Sequence, residues 1–197
     1  MTIGHKWLLL VLTPFSAGCM GGTNRVPVPD FDPTAIGAKA VELHDRNADG
    51  LISAKELEGA PSLESAKNRL DKNGDGNLDA SEIAVRIQAY IDYRSALAPV
   101  DCTVTRGGRP VDGATVTYEP ETFMGDGIVP AMGTTNAEGT AVLSVSEEHL
   151  PSPRHSGVRP GFYRVQVKLA DGTEVTKLNA GVECAGDMLN IHQISLP

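Results

Sequence analysis

The chain has 197 residues, 41% of them hydrophobic and 21% charged, with a formal net charge of −8 at pH 7. The acidic excess is shared between 13 acids and 8 bases from Asp30 to Ala96, and 12 acids and 7 bases from Leu97 to Pro197. No basic footprint for nucleic acid is present, and outside the two motifs described below no acidic block marks a disordered tail.

Met1–Lys6 carries one positive side chain, Trp7–Phe15 is a short apolar run, and Ser16-Ala17-Gly18 leads by small residues to Cys19. This order reads as an export signal over residues 1–18, since a membrane span needs about twenty apolar residues. Ser16-Ala17-Gly18-Cys19 resembles a bacterial lipobox, with Ser16 where that family most often has Leu. The resemblance implies lipidation of Cys19 and a lipid-anchored protein of the bacterial cell envelope. Met20, where sorting to the inner membrane favours Asp, points to the outer membrane or cell surface. Several acyl chains would anchor the chain stably where one holds only marginally. Residues 19–30, with two glycines and two prolines after the cysteine, read as its tether.

Asp32 is placed to cap a helix that starts at Pro33 and runs toward Leu43, with Ile36, Ala40 and Leu43 along one side. Two oxygen-rich windows follow: DRNADGLISAKE from Asp45 to Glu56, and DKNGDGNLDASE from Asp71 to Glu82. Calcium loops set oxygen donors at positions 1, 3, 5, 7, 9 and 12, with a turn on Gly at 6. The first window offers Asp45, Asn47, Asp49, the carbonyl of Leu51, Ser53 through water, and Glu56 as the two-oxygen clamp, around Gly50. The second offers Asp71, Asn73, Asp75, the carbonyl of Asn77, Asp79 and Glu82, around Gly76. Neither contains Cys or His, which disfavours zinc, and an all-oxygen set with bidentate closure suits Ca²⁺ better than Mg²⁺.

These windows resemble paired EF-hand loops, whose apolar position 8, here Ile52 and Leu78, joins the two through a short β-bridge. Only fourteen residues, Leu57 to Leu70, separate them, so the helices between must be short. That spacing resembles dockerin modules more than calmodulin-like pairs and implies a structural clip rather than a sensor. Pro61 stops the exiting helix, Leu63, Ala66 and Leu70 mark a short entering helix, and Ala80 to Arg94 form a longer one with Ile83, Ile87, Tyr90 and Ile91 on its stripe.

After Pro99 the pattern changes to short β-prone segments: Cys102–Arg106, Ala114–Glu119, Ala131–Thr135, Thr140–Val145, Phe162–Leu169, Glu174–Leu178 and Leu189–Leu196. Tyr163, Val165, Val167 and Leu169 alternate with Arg164, Gln166 and Lys168, so one face meets a core and the other water. The fold expected is multidomain α plus β, a helical pair over 31–96 followed by an antiparallel seven-stranded β-sandwich over 97–197. Gly107-Gly108, Asn136 with Gly139, and Pro160-Gly161 before Tyr163 make this half similar to carboxypeptidase-regulatory-like, transthyretin-like sandwiches. Such modules scaffold or bind. Cys102 and Cys184 are expected to pair as a disulfide, which an exported chain can keep, with two buried thiols as the competing reading, since spacing does not show how close they lie.

Ser144, Ser146, His149, Ser152, His155 and Ser156 gather candidate nucleophiles and bases beside Glu147 and Glu148, without a G-x-S-x-G elbow. Polar loop residues are the simpler reading, and no enzyme is expected. The function expected is a calcium-binding, lipid-anchored envelope protein with a structural or adhesive role. Its partners would be the membrane and an envelope protein or polysaccharide. The alternative is a carbohydrate-binding accessory domain of an envelope enzyme system.

Overall fold

A computed structural model describes residues 27–150 and 152–197. The export segment, Cys19 and the tether up to residue 26 lie outside the described residues.

Four helices come first: α1 (Pro33–His44), α2 (Ala54–Leu57), α3 (Pro61–Leu70) and α4 (Ala80–Tyr93). The Asp32 carboxylate accepts from Ala35 N at 3.0 Å and Pro33 opens the first turn, so α1 starts where its cap dictates. Asp79 caps α4 in the same way, accepting from Glu82 N at 2.8 Å, and α4 ends on Arg94 in the left-handed conformation (φ 56°). The stripe Ile83, Ile87 and Tyr90 is buried, and α1 packs lengthwise on α4.

Eight strands follow: β1 (Val100–Arg106), β2 (Arg109–Pro110), β3 (Thr115–Pro120), β4 (Ala131–Thr134), β5 (Thr140–Val145), β6 (Gly161–Lys168), β7 (Gly181–Cys184) and β8 (Ile191–Leu196). They form one sheet in the order β2-β1-β5-β4-β3-β6-β7, with β8 added on β1, that curls into a half-barrel. The expected helix-then-sheet architecture is therefore present. Two details differ from a seven-stranded antiparallel sandwich. Among the described residues there are eight strands, and β8 runs parallel to β1 from Asp101↔Ile191 to Arg106↔Leu196. Asn190 fixes the crossover into β8: its amide accepts from Ala185 N and donates to the carbonyls of Ala185, Met188 and Pro99.

Glu174–Leu178 is not a strand; a single bridge, Lys168↔Glu174, marks it, and the edge strand is β7 instead. The sequence of β7, Gly-Val-Glu-Cys, reads as polar because two of its features depend on the helical half. Gly181 lies so close to α3 that a Cβ there would sit 2.2 Å from Ser62 N. Glu183 is buried because arginines from α3 and α4 meet it.

On β6, Phe162 and Tyr163 point to opposite faces of the pleat, yet both are fully buried. Tyr163 faces the interior of the half-barrel with Tyr118, ring centroids 6.1 Å apart. Phe162 faces the helices, 6.2 Å from Tyr90 and 5.9 Å from Phe123. Phe123, in a 3₁₀ turn, meets the edge of the His44 ring, and Tyr90 meets Phe31. Phe123 and Phe162 thus belong to the junction, and the apolar core runs unbroken from α1 to β8.

Cys102 and Cys184 are both buried free thiols, not a disulfide. Burial raises both thiols above their ordinary range, so neither is an activated nucleophile.

Candidate functional site

The two loops are copies of one hydrogen-bonded frame, 26 residues apart in sequence. Asp45 accepts from Ala48 N (2.7 Å) and Gly50 N (2.8 Å); Asp71 accepts from Gly74 N (2.6 Å) and Gly76 N (2.9 Å). Asn47 Oδ1 accepts from Asp49 N at 2.9 Å, and Asn73 Oδ1 from Asp75 N at 2.8 Å. Asp49 accepts from Leu51 N at 3.0 Å, and Asp75 from Asn77 N at 2.8 Å. In each loop the third-position amide also donates to the fifth-position carboxylate, at 2.9 and 3.0 Å. These turns arise because short carboxylate and amide side chains reach backbone N–H groups two, three and five residues ahead.

The turn itself needs a positive φ, supplied by Gly50 (86°) and Gly76 (83°). At the fourth position the second loop has Gly74, while the first forces Ala48 to φ 60°, a conformation an L-residue adopts only at a cost. The loops are tied at position 8: Ile52 N donates to Leu78 O at 2.8 Å and Leu78 N to Ile52 O at 3.0 Å, and both side chains are fully buried.

The twelfth-position glutamates turn back over their loops. Glu56 accepts from Arg46 N (2.7 Å), Asn47 N (3.3 Å), Ser53 N (2.8 Å) and Ser53 Oγ (2.6 Å). Those bonds, the Ser53 hydroxyl first, hold its carboxyl down at about 2. Glu82 accepts from Lys72 N, Asn73 N and Asp79 N at 3.0, 3.4 and 3.1 Å. The loops differ again at position 9: Ser53 donates its hydroxyl to Glu56, whereas Asp79 accepts from Ser81 Oγ and Glu82 N, which lowers its carboxyl.

The donors available are oxygens only, three carboxylates in the first loop and four in the second, a chemistry that fits a hard divalent cation. Among the described residues, however, no three His, Cys, Asp or Glu side chains converge as a metal cluster. The carboxylates are engaged with the loops' own N–H groups, and a cation would have to be met by Glu56 and Glu82 exchanging those partners.

Two buried carboxylates of the β-half, which sequence reasoning did not single out, hold the helical half in place. Glu183 accepts from Arg69 Nε at 2.7 Å, Tyr90 OH at 2.8 Å and Arg86 Nε. Arg86 also grips Asp187 with two bonds, at 2.7 and 2.9 Å, and lies 5.0 Å over the Tyr90 ring. Burial would lower the Arg86 pKa, but Asp187 and Glu183 outweigh it and raise it; burial, then the Glu183 charge, raises Tyr90. Glu121 accepts from Ser62 Oγ at 2.8 Å and Arg164 Nη2 at 3.3 Å. Breaking a buried pair such as Arg86–Glu183 on one side typically costs about 3–5 kcal/mol.

The Ser/His loop does not assemble a triad. Ser152 Oγ and His155 Nδ1 are 2.9 Å apart and exposed, His149 lies 3.5 Å from Glu148, and Ser144 Oγ serves the backbone of Val145 and Gly157. His192 pairs its Nδ1 with Tyr118 OH at 2.8 Å, and burial lowers the pKa of both His192 and His44. Among the described residues no helix is long and apolar enough to cross a membrane. No family model matches this sequence, and no curated protein is significantly similar to it.

Proposed function

We propose that this chain is a calcium-binding, lipid-anchored protein of the bacterial cell envelope, in which an EF-hand pair of dockerin-like spacing clips a non-catalytic β-scaffold. The scaffold is read as a carboxypeptidase-regulatory-like sandwich, a module that presents a surface to an envelope protein or polysaccharide. The observation that carries the calcium reading is the repeated loop frame, with matching hydrogen bonds and the Ile52–Leu78 bridge. Random turn-rich sequence has no reason to reproduce each Asx turn at the same offset. Asp45, Asn47, Asp49, Leu51, Ser53 and Glu56 would hold one ion, and Asp71, Asn73, Asp75, Asn77, Asp79 and Glu82 the other. Bound calcium would supply positive charge to loops that carry three and four carboxylates.

The junction supports a structural role. α2 and α3 are short, and Leu57, Leu63, Ala66 and Leu70 are buried in a core continuous with the sheet, which favours loops that brace the scaffold. The carbohydrate-binding alternative finds less support: Tyr118, Phe123, Phe162 and Tyr163 are all buried, and Tyr93 on α4 is the exposed ring among the described residues. Calorimetric titration of the chain with calcium tests the first part of the proposal. Two ions per chain are expected; fewer than one sinks it. Metabolic labelling with a tagged fatty acid tests the anchor, and label that persists in Cys19→Ala would refute attachment at that residue.

A further inference from the structure

The helices on either side of the second loop end on the same carboxylate of the β-half. α3 delivers Arg69 two residues before Asp71, and α4 delivers Arg86 and Tyr90 four and eight residues after Glu82, on one helical stripe. All three donate to Glu183, whose side chain is fully buried on β7. Its cross-strand neighbour on β6 is Phe162, which packs on Tyr90. The first loop is tied differently: Asn179 donates to the Glu58 carbonyl beyond α2, His44 rests on Phe123, and among the described residues no ion pair is shared by its two flanking helices.

We propose that Glu183 couples the second loop to the β-half, so that a divalent cation held between Asp71 and Glu82 and the carboxylate of Glu183 stabilise each other. The inference rests on the calcium reading above. A cation in the loop fixes α3 against α4 from inside the turn; Glu183 fixes the same two helices from outside. The carboxylate is fully paired only while Arg69 and Arg86 stand at their present separation, since a buried carboxylate that loses a donor has no water to replace it. Two ligands that favour one arrangement of a shared element strengthen each other equally, whichever binds first.

The test is calcium calorimetry on the full chain, with each loop isolated by disabling the other. Glu56→Gln leaves the second loop to report, Glu82→Gln the first, and each is compared with and without Glu183→Gln. Glu183→Gln is expected to weaken the second loop about tenfold, within the usual range of coupling between sites, and the first by less than about twofold. Unchanged affinity at the second loop, or equal weakening at both, overturns the coupling while leaving the calcium reading intact. Absence of binding in the unmodified chain overturns the calcium reading and the coupling with it. Should Glu183→Gln fail to fold, Arg69→Met replaces it, since that side chain is 41% exposed; about threefold weakening at the second loop is expected, and none overturns the proposal. Hydrogen exchange gives a second readout: calcium should slow the amides of Val182–Cys184 in the unmodified chain and not in Glu82→Gln, and equal slowing in both overturns it.

Discussion

Phe162→Ala is the substitution that most directly tests whether the two halves share one core. The ring is fully buried on the helix-facing side of β6, between Tyr90 of α4 and Phe123, while its neighbour Tyr163 fills the half-barrel on the other side. Truncation removes the transfer free energy of the ring and leaves a cavity walled by two aromatic rings held at both ends. Phe→Ala in such sites costs about 3–5 kcal/mol. Against a typical domain stability of about 5–15 kcal/mol, that loss is a large fraction of the total. Val142→Ala, on a side chain that is 64% exposed, is the control and should change stability by less than about 0.5 kcal/mol. The assay is urea unfolding of both variants, followed by circular dichroism for the helices and by tyrosine fluorescence, to which Tyr118 and Tyr163 contribute from the half-barrel. The unmodified chain should give coincident transitions, and Phe162→Ala should shift both together. A helical transition that separates from the half-barrel signal, or a loss below about 1 kcal/mol, refutes a shared core.

Ala48→Gly relieves the one left-handed non-glycine position within the loops and should stabilise the chain by up to about 1 kcal/mol, measured by the same denaturation; destabilisation would mean that φ 60° is not strained there. Glu82→Ala removes the twelfth-position clamp and should abolish one of two calcium ions in calorimetry, while Ser53→Ala should weaken the other only modestly. His192 gives a pH signature. Burial lowers its folded pKa below the ordinary 6.5, so the unfolded chain takes up the proton first and stability contributed above pH 6.5 is lost as pH falls below it. Replacing His192 by Gln should flatten the fall in thermal stability as pH drops below about 6.5, and an unaltered slope would remove His192 from the account.

The helical half was largely legible because its signals are local. Asp32 before Pro33, the donor pattern within each twelve-residue loop, and the stripe of α4 each depend on residues close to one another in sequence. β5 was legible for the same reason, as Thr140–Val145 alternates cleanly behind the Asn136–Gly139 turn. β7 was not. A strand that contains Gly181 and Glu183 has no apolar alternation to read. Its place in the sheet depends on Ser62, Arg69 and Arg86, about a hundred residues earlier. The same distance hid the junction: nothing near Glu183 in sequence says that its charge will be buried, or by what it will be neutralised. The parallel pairing of β8 with β1 is likewise a property of the whole topology, and the fate of Cys102 and Cys184 depended on geometry that spacing does not carry.

The placement of β8 has a further consequence for how the sheet is made. Asp101 finds Ile191 across an interval of ninety residue numbers, and every intervening strand is laid down before that partner exists. A growing or truncated chain that stops short of Ile191 therefore holds β1 with one edge bare along Asp101–Arg106, offering unpaired N–H and C=O groups to any other strand. Such an edge recruits neighbours of its own kind. β8 covers that edge of β1 and becomes the outer strand itself, so loss of residues 191–196 should expose β1 to such pairing, read as growth in mass by light scattering.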